Sequence, residues 1–84
     1  MNKTLAEQTS LLLLQVSAKL DGQLRILKTQ CADEEFQVYL RGFGYVLGYM
    51  FTEIMTPIYA EHLDLKPEQL GGTYRVPSSI YEEK

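Results

Sequence analysis

Between Phe36 and Tyr59 the chain carries large apolar and aromatic residues on nearly every face that a helix can present, with only two formal charges, Arg41 and Glu53. At about 100° per residue, Phe36, Leu40, Phe43, Leu47, Met50, Phe51, Ile54 and Ile58 fall in one arc, with Tyr39 and Val46 at its edge. That is the i, i+3, i+4, i+7 stripe of a core-facing helix, and the alternation of a strand does not survive past a few residues. The opposite side holds Val38, Tyr45, Tyr49, Thr52, Thr56 and Tyr59 beside Arg41. A helix apolar on nearly all sides is enclosed on more than one side, and one partner helix cannot enclose it. The stretch therefore predicts both an internal partner helix and a second chain.

Three glycines lie inside it. Gly42, Gly44 and Gly48 each cost roughly 1 kcal/mol relative to alanine in a helix interior. Gly44 and Gly48 are four residues apart and share a flank. Two readings stand: a groove where another backbone approaches closely, or relief of a clash with bulk inside the same hairpin.

The partner helix precedes this stretch. From about residue 3 to 30 the main stripe is Leu5, Leu12, Val16, Leu20, Leu24 and Leu27, with Leu13 and Cys31 alongside. Glu7, Ser10, Ser17, Asp21, Arg25 and Lys28 occupy the polar side, and Asp21 and Arg25 form an i, i+4 pair. Leu11, Leu14 and Ala18 make a second apolar patch pointing away from the stripe, which reads as a protein contact rather than scattered surface leucines.

Asp33 is the expected N-cap of the second helix, with Glu34 and Glu35 favouring its positive end. The short link predicts two antiparallel neighbours. Pro57 removes one backbone donor and crowds the carbonyl four residues back. The second helix then either kinks and runs toward residue 63, or ends near 56 with Thr56 capping a new segment.

The fold class expected is all-α. Residues 1–63 form a helical hairpin with helices at about 3–30 and 33–56/63, doubling as a homodimer into a four-helix bundle. Residues 64–84 form a mostly irregular tail with a short helical turn at 67–70, stopped by Gly71 and Gly72. Leu70, Tyr74, Val76, Ile80 and Tyr81 are more apolar than a disordered segment carries, so the tail drapes over a groove of its own chain or a neighbour. No pattern marks 78–84.

Composition narrows the function. At 84 residues the chain is one domain at most, small enough to borrow stability from association. A net charge of −3 without a basic face argues against nucleic acid as a partner. A single cysteine, Cys31, excludes an intrachain disulfide and points to the cytoplasm. Lys3, Leu11–Leu14 and Val16–Ala18 imitate a secretion signal, but the apolar run is short, is broken by Gln15 and follows Glu7. No apolar run approaches the roughly 20 residues of a membrane span.

Chemistry is thin. His62 is the only histidine, and Glu61 and Asp64 would point away from it on a helix, so no metal site is expected. Cys31 reads as a small hydrophobe. Glu53 shares its face with no second carboxylate or histidine. Enclosed by a second chain it would need Arg41, Arg25 or a tyrosine hydroxyl, which makes Glu53 and Arg41 the buried polar candidates. Nucleotide, phosphate and nucleophile motifs are absent.

The expectation is a non-enzymatic protein–protein interaction module without cofactor: a dimer acting as adaptor, inhibitor or regulator, with another protein as a further partner. Its binding residues are Tyr45, Tyr49, Gly44, Gly48, Leu11 and Leu14. The alternative is a bundle that binds or senses a small apolar ligand lined by Met50, Met55 and the tyrosines.

Overall fold

The computed structural model describes residues 1–81. It is all-helical: two long helices folded back on one another and an irregular tail, with no strand among the described residues. Helix α1 spans Lys3–Gln30. It begins at Asn2, whose side-chain Oδ1 accepts from the Leu5 N–H at 2.9 Å and satisfies one of the free donors of the first turn. It ends where Cys31 turns extended. Asp21 and Arg25 pair at 2.9 Å on its surface.

Helix α2 spans Asp33–Tyr49. The N-cap position falls on Ala32, without a side-chain cap, so Asp33 is not the cap. Asp33, Glu34 and Glu35 instead all lie in the first turn, where carboxylates favour the helix dipole. At Pro57 a new helical segment starts, with the proline in its first turn, although Thr56 does not cap it. The turn loosens into a π-helix at Met50–Met55, in which the Thr56 N–H reaches back to the Phe51 carbonyl, and a short helix α3 follows at Thr56–Glu61. A π turn skips one ladder position, which accommodates both the missing proline donor and the ring's clash with the carbonyl at Glu53.

The core sits at the end of the pair where α1 starts and α3 stops. Ala6, Leu14, Met55, Ile58, Tyr59 and Leu65 are buried together. Ser10 is buried beside them and hydrogen-bonds the Tyr59 hydroxyl at 2.6 Å. Burial raises the Tyr59 phenol above its ordinary range, although the Ser10 bond opposes this. The small side chains of Ala6 and Ser10 leave room on α1 for the Tyr59 ring, whose hydroxyl reaches Ser10.

The buried face of α1 is therefore Ala6, Ser10 and Leu14, rotated roughly a quarter turn from the expected leucine stripe. Leu5 and Leu12 of that stripe are exposed, while Val16, Leu20, Leu24 and Leu27 are half-buried. The cause is the tail. After 3₁₀ turns at Leu63–Leu65 and Glu68–Leu70, the chain makes a hook closed by a bridge between Pro67 and Tyr74. Glu68 N–H donates to the Tyr74 carbonyl at 3.1 Å and Tyr74 N–H to the Lys66 carbonyl at 2.9 Å. Pro67 is wholly enclosed, and Gly71 takes the left-handed conformation (φ 90°) that ends the turn. Leu70, Tyr74, Val76 and Ile80 then pack on the core, and a last 3₁₀ turn, Ser78–Tyr81, lies against α1. The patternless stretch 78–84 is thus partly structured; residues 82–84 lie outside the described residues.

A proton marks the contact between the tail and α1. The Tyr74 hydroxyl donates to Glu7 at 2.6 Å, and that bond, with burial and the carboxylate's charge, pushes the phenol up to about 12. Because the folded pKa exceeds the unfolded value near 10, this contribution is complete below about pH 10 and disappears between about pH 10 and 12. Thermal melts across that window should lose stability in the wild type and lose less in Tyr74→Phe. Parallel losses in both proteins would show that Tyr74 is not the titrating group.

Candidate interaction surface

Away from that core, α2 is scarcely covered. Phe36 is its one buried residue; Phe43 and Leu47 are half-buried toward α1. On the outer side Val38, Tyr45 and Tyr49 are 66%, 61% and 65% exposed. With Arg41 and Thr52 they form a row along α2, since positions three and four apart on a helix stand above one another. Gly44 and Gly48 lie beside the tyrosines, and Gly44, Tyr45, Gly48, Tyr49 and Thr52 line one shallow groove.

The glycines have no internal explanation. A Cβ placed on Gly44 or Gly48 would meet nothing within 4 Å, and the same holds at Gly42. Relief of a clash inside the hairpin is thereby excluded. What remains is an outer flank of α2 without side chains at Gly44 and Gly48.

The molecule is elongated, 44 × 28 × 20 Å. The chain exposes 6170 Å², where a compact monomer of this size exposes about 5,100 Å². Its radius of gyration is 14.5 Å, against about 12 Å for a compact domain of this length.

The other expected site residues are placed differently. Leu14 is buried, 7% exposed, and Leu11 is packed against the same core, so neither belongs to a free surface. Their patch is the seat of the chain's own tail, and Ala18 lines a groove with Ile80 and Tyr81. Arg41 and Glu53, the polar groups a second chain was expected to enclose, are both exposed in the single chain, and neither has an ion-pair partner among the described residues. Of the two methionines expected to line a ligand cavity, Met55 is enclosed in the core and Met50 is half-buried.

His62, Glu61, Asp64 and Lys3 make contacts within the fold. His62 caps the end of α3; its Nε2 lies 2.9 Å from the Met1 carbonyl and 3.1 Å from Glu61. The Met1 amine, 3.1 Å from Glu61, holds that carboxyl below its ordinary value, and the ion pair with Lys3 does the same to Asp64. These contacts tie the start of α1 to the end of α3. Cys31 is half-buried, and the Glu35 carboxylate at its side raises the thiol, which disfavours the reactive thiolate. Asn2 and the hook around Pro67 were missed by sequence reasoning, although an Asn just before an apolar-periodic run is a recognisable start signal.

Among the described residues, no three His, Cys, Asp or Glu side chains are grouped to hold a metal ion, and no helix is long and apolar enough to cross a membrane. Comparison with family models, with curated proteins and with solved structures finds no match for this chain.

Proposed function

We propose that this chain is a non-enzymatic protein–protein interaction module that works as a homodimer, two copies joining through the outer face of α2 into a four-helix assembly. The observation that carries the reading is the row of Val38, Tyr45 and Tyr49 standing in solvent beside two glycines that nothing inside the chain requires. Tyrosine supplies contact area and a hydroxyl at low entropic cost, and aromatic residues concentrate in the central, desolvated part of interfaces. A second copy removes this face from water. In the cytoplasm, such a dimer would serve as an adaptor, inhibitor or regulator, engaging another protein by the surfaces that dimerisation leaves open.

Sedimentation analysis tests this directly. The wild type should run as a dimer, and Tyr45→Ala with Tyr49→Ala should weaken it by roughly 100-fold or more while far-ultraviolet circular dichroism stays unchanged. An equally tight dimer in the double variant would remove this face as the interface. The glycines add a second arm. Gly44→Ala and Gly48→Ala should each raise the stability of the isolated chain by about 0.5–1 kcal/mol, because nothing obstructs the new methyl group, yet weaken the dimer. Gly22, equally unobstructed but on α1, should stabilise without changing association when replaced by alanine. If the alanines on α2 left association untouched, close approach at that flank would be wrong.

A further inference from the structure

Resting on the homodimer reading, we infer that the two α2 helices meet antiparallel across a two-fold axis on their outer faces at the level of Leu47, with Arg41 of each copy facing Glu53 of the other and Tyr45 facing Tyr49. In a two-fold interface, if position i meets position j, then j meets i. Arg41 and Glu53 each lie six residues from Leu47, and Tyr45 and Tyr49 each lie two. One axis therefore satisfies both pairs. It also places the Gly44 and Gly48 flanks near the point of closest approach, where helices with small side chains come within about 8 Å.

The four positions lie on one row. Arg41, Tyr45 and Tyr49 follow at intervals of four residues, a row that drifts around an α-helix by about 40° per step. Glu53 would drift further, but it lies in the π-helix, where each residue turns through a smaller angle, and this holds it closer to the tyrosines. The π turn that accommodates Pro57 thus also keeps Glu53 nearer the row of tyrosines. Arg41 stands about 9 Å along the helix from the axis at 1.5 Å per residue. At that offset the two long side chains span the gap that modest crossing of the helices opens.

Charge selects this arrangement over the parallel one. A parallel two-fold pair sets Arg41 against Arg41 and Glu53 against Glu53, and brings both first turns, with Asp33, Glu34 and Glu35 on each, to the same end. Like charges juxtaposed in an interface oppose its formation. The antiparallel pair separates the acidic turns and gives Arg41 and Glu53, both exposed and unpaired among the described residues, a partner of opposite sign.

Charge reversal on the full chain provides the test. Arg41→Glu and Glu53→Arg each turn both symmetry-related pairs repulsive, so each should weaken the dimer by roughly tenfold or more. The variant carrying both restores attraction and should dimerise like the wild type. An equimolar mixture of the two single variants should form a heterodimer tighter than either homodimer. A second readout uses a Cys31→Ser background: Tyr45→Cys mixed with Tyr49→Cys should cross-link on mild oxidation, and faster than either variant does alone. A monomeric wild type would overturn the homodimer reading together with this one. A wild-type dimer that ignores the charge reversals, with no preference for the mixed cross-link, would overturn only the antiparallel register.

Discussion

Replacing Leu14 by alanine should cost about 3 kcal/mol, whereas the same change at Leu12 should cost less than about 1 kcal/mol. Both belong to the run Leu11–Leu14, and their difference lies wholly in tertiary context. Leu14 is 7% exposed against Ala6, Met55, Ile58 and Tyr59, so its truncation loses transfer free energy and leaves a cavity in the main core of the molecule. Leu12 is 55% exposed and loses little. A chain of this length has a total stability of about 4–12 kcal/mol, so Leu14→Ala should bring a large shift in the denaturation midpoint. Equal midpoints for the two variants would mean that the tail and α3 do not cover the Leu14 face of α1.

The second large effect concerns the hook of the tail. Gly72→Ala places a methyl group onto the Lys66 backbone carbonyl, a contact no side-chain rotation can relieve. The turn must open, and with it go the bond from the Gly72 N–H to the Pro67 carbonyl at 2.9 Å and the two bonds joining Tyr74 to residues 66 and 68. Leu70, Tyr74, Val76 and Ile80 then lose their seat on the core. The expected cost is about 2–4 kcal/mol, accompanied by faster tryptic cleavage after Arg75. Gly71→Ala, where nothing lies within 4 Å and only the left-handed conformation opposes a side chain, should cost about 1–2 kcal/mol. Unchanged proteolysis in Gly72→Ala would show that the hook does not hold the tail in place.

The two outcomes share a cause: which face of α1 is covered depends on residues distant in sequence. Helical periodicity located α1 and the start of α2, because a long amphipathic stripe is a local property repeated over many turns. It misjudged which stripe of α1 is buried. Six leucines and valines at helical spacing outweigh Ala6 and Ser10 on a wheel, yet a face that receives the Tyr59 ring favours small residues, which hydropathy ranks low. The patch of Leu11, Leu14 and Ala18 looked like a surface for another protein because its cover lies some sixty residues along the chain, in a tail whose path follows from the hook at Pro67 and Gly72 and not from any period.

The candidate interface divides in the same way. The apolar excess of Phe36–Tyr59, its nearly uncharged outer face and the Gly44–Gly48 spacing were legible from residue types alone. Three matters were settled only by the folded chain. The glycines face empty space and not a crowded neighbour. Arg41 and Glu53 are exposed in the single chain. Pro57 is accommodated by a widened turn, an adjustment of the ladder that no propensity scale describes. Periodicity records what each face is made of, since that depends only on residue order and helical pitch. What covers each face depends on contacts between residues distant in sequence, and these exist only once α1, α3 and the tail have closed around Ala6, Leu14 and Tyr59.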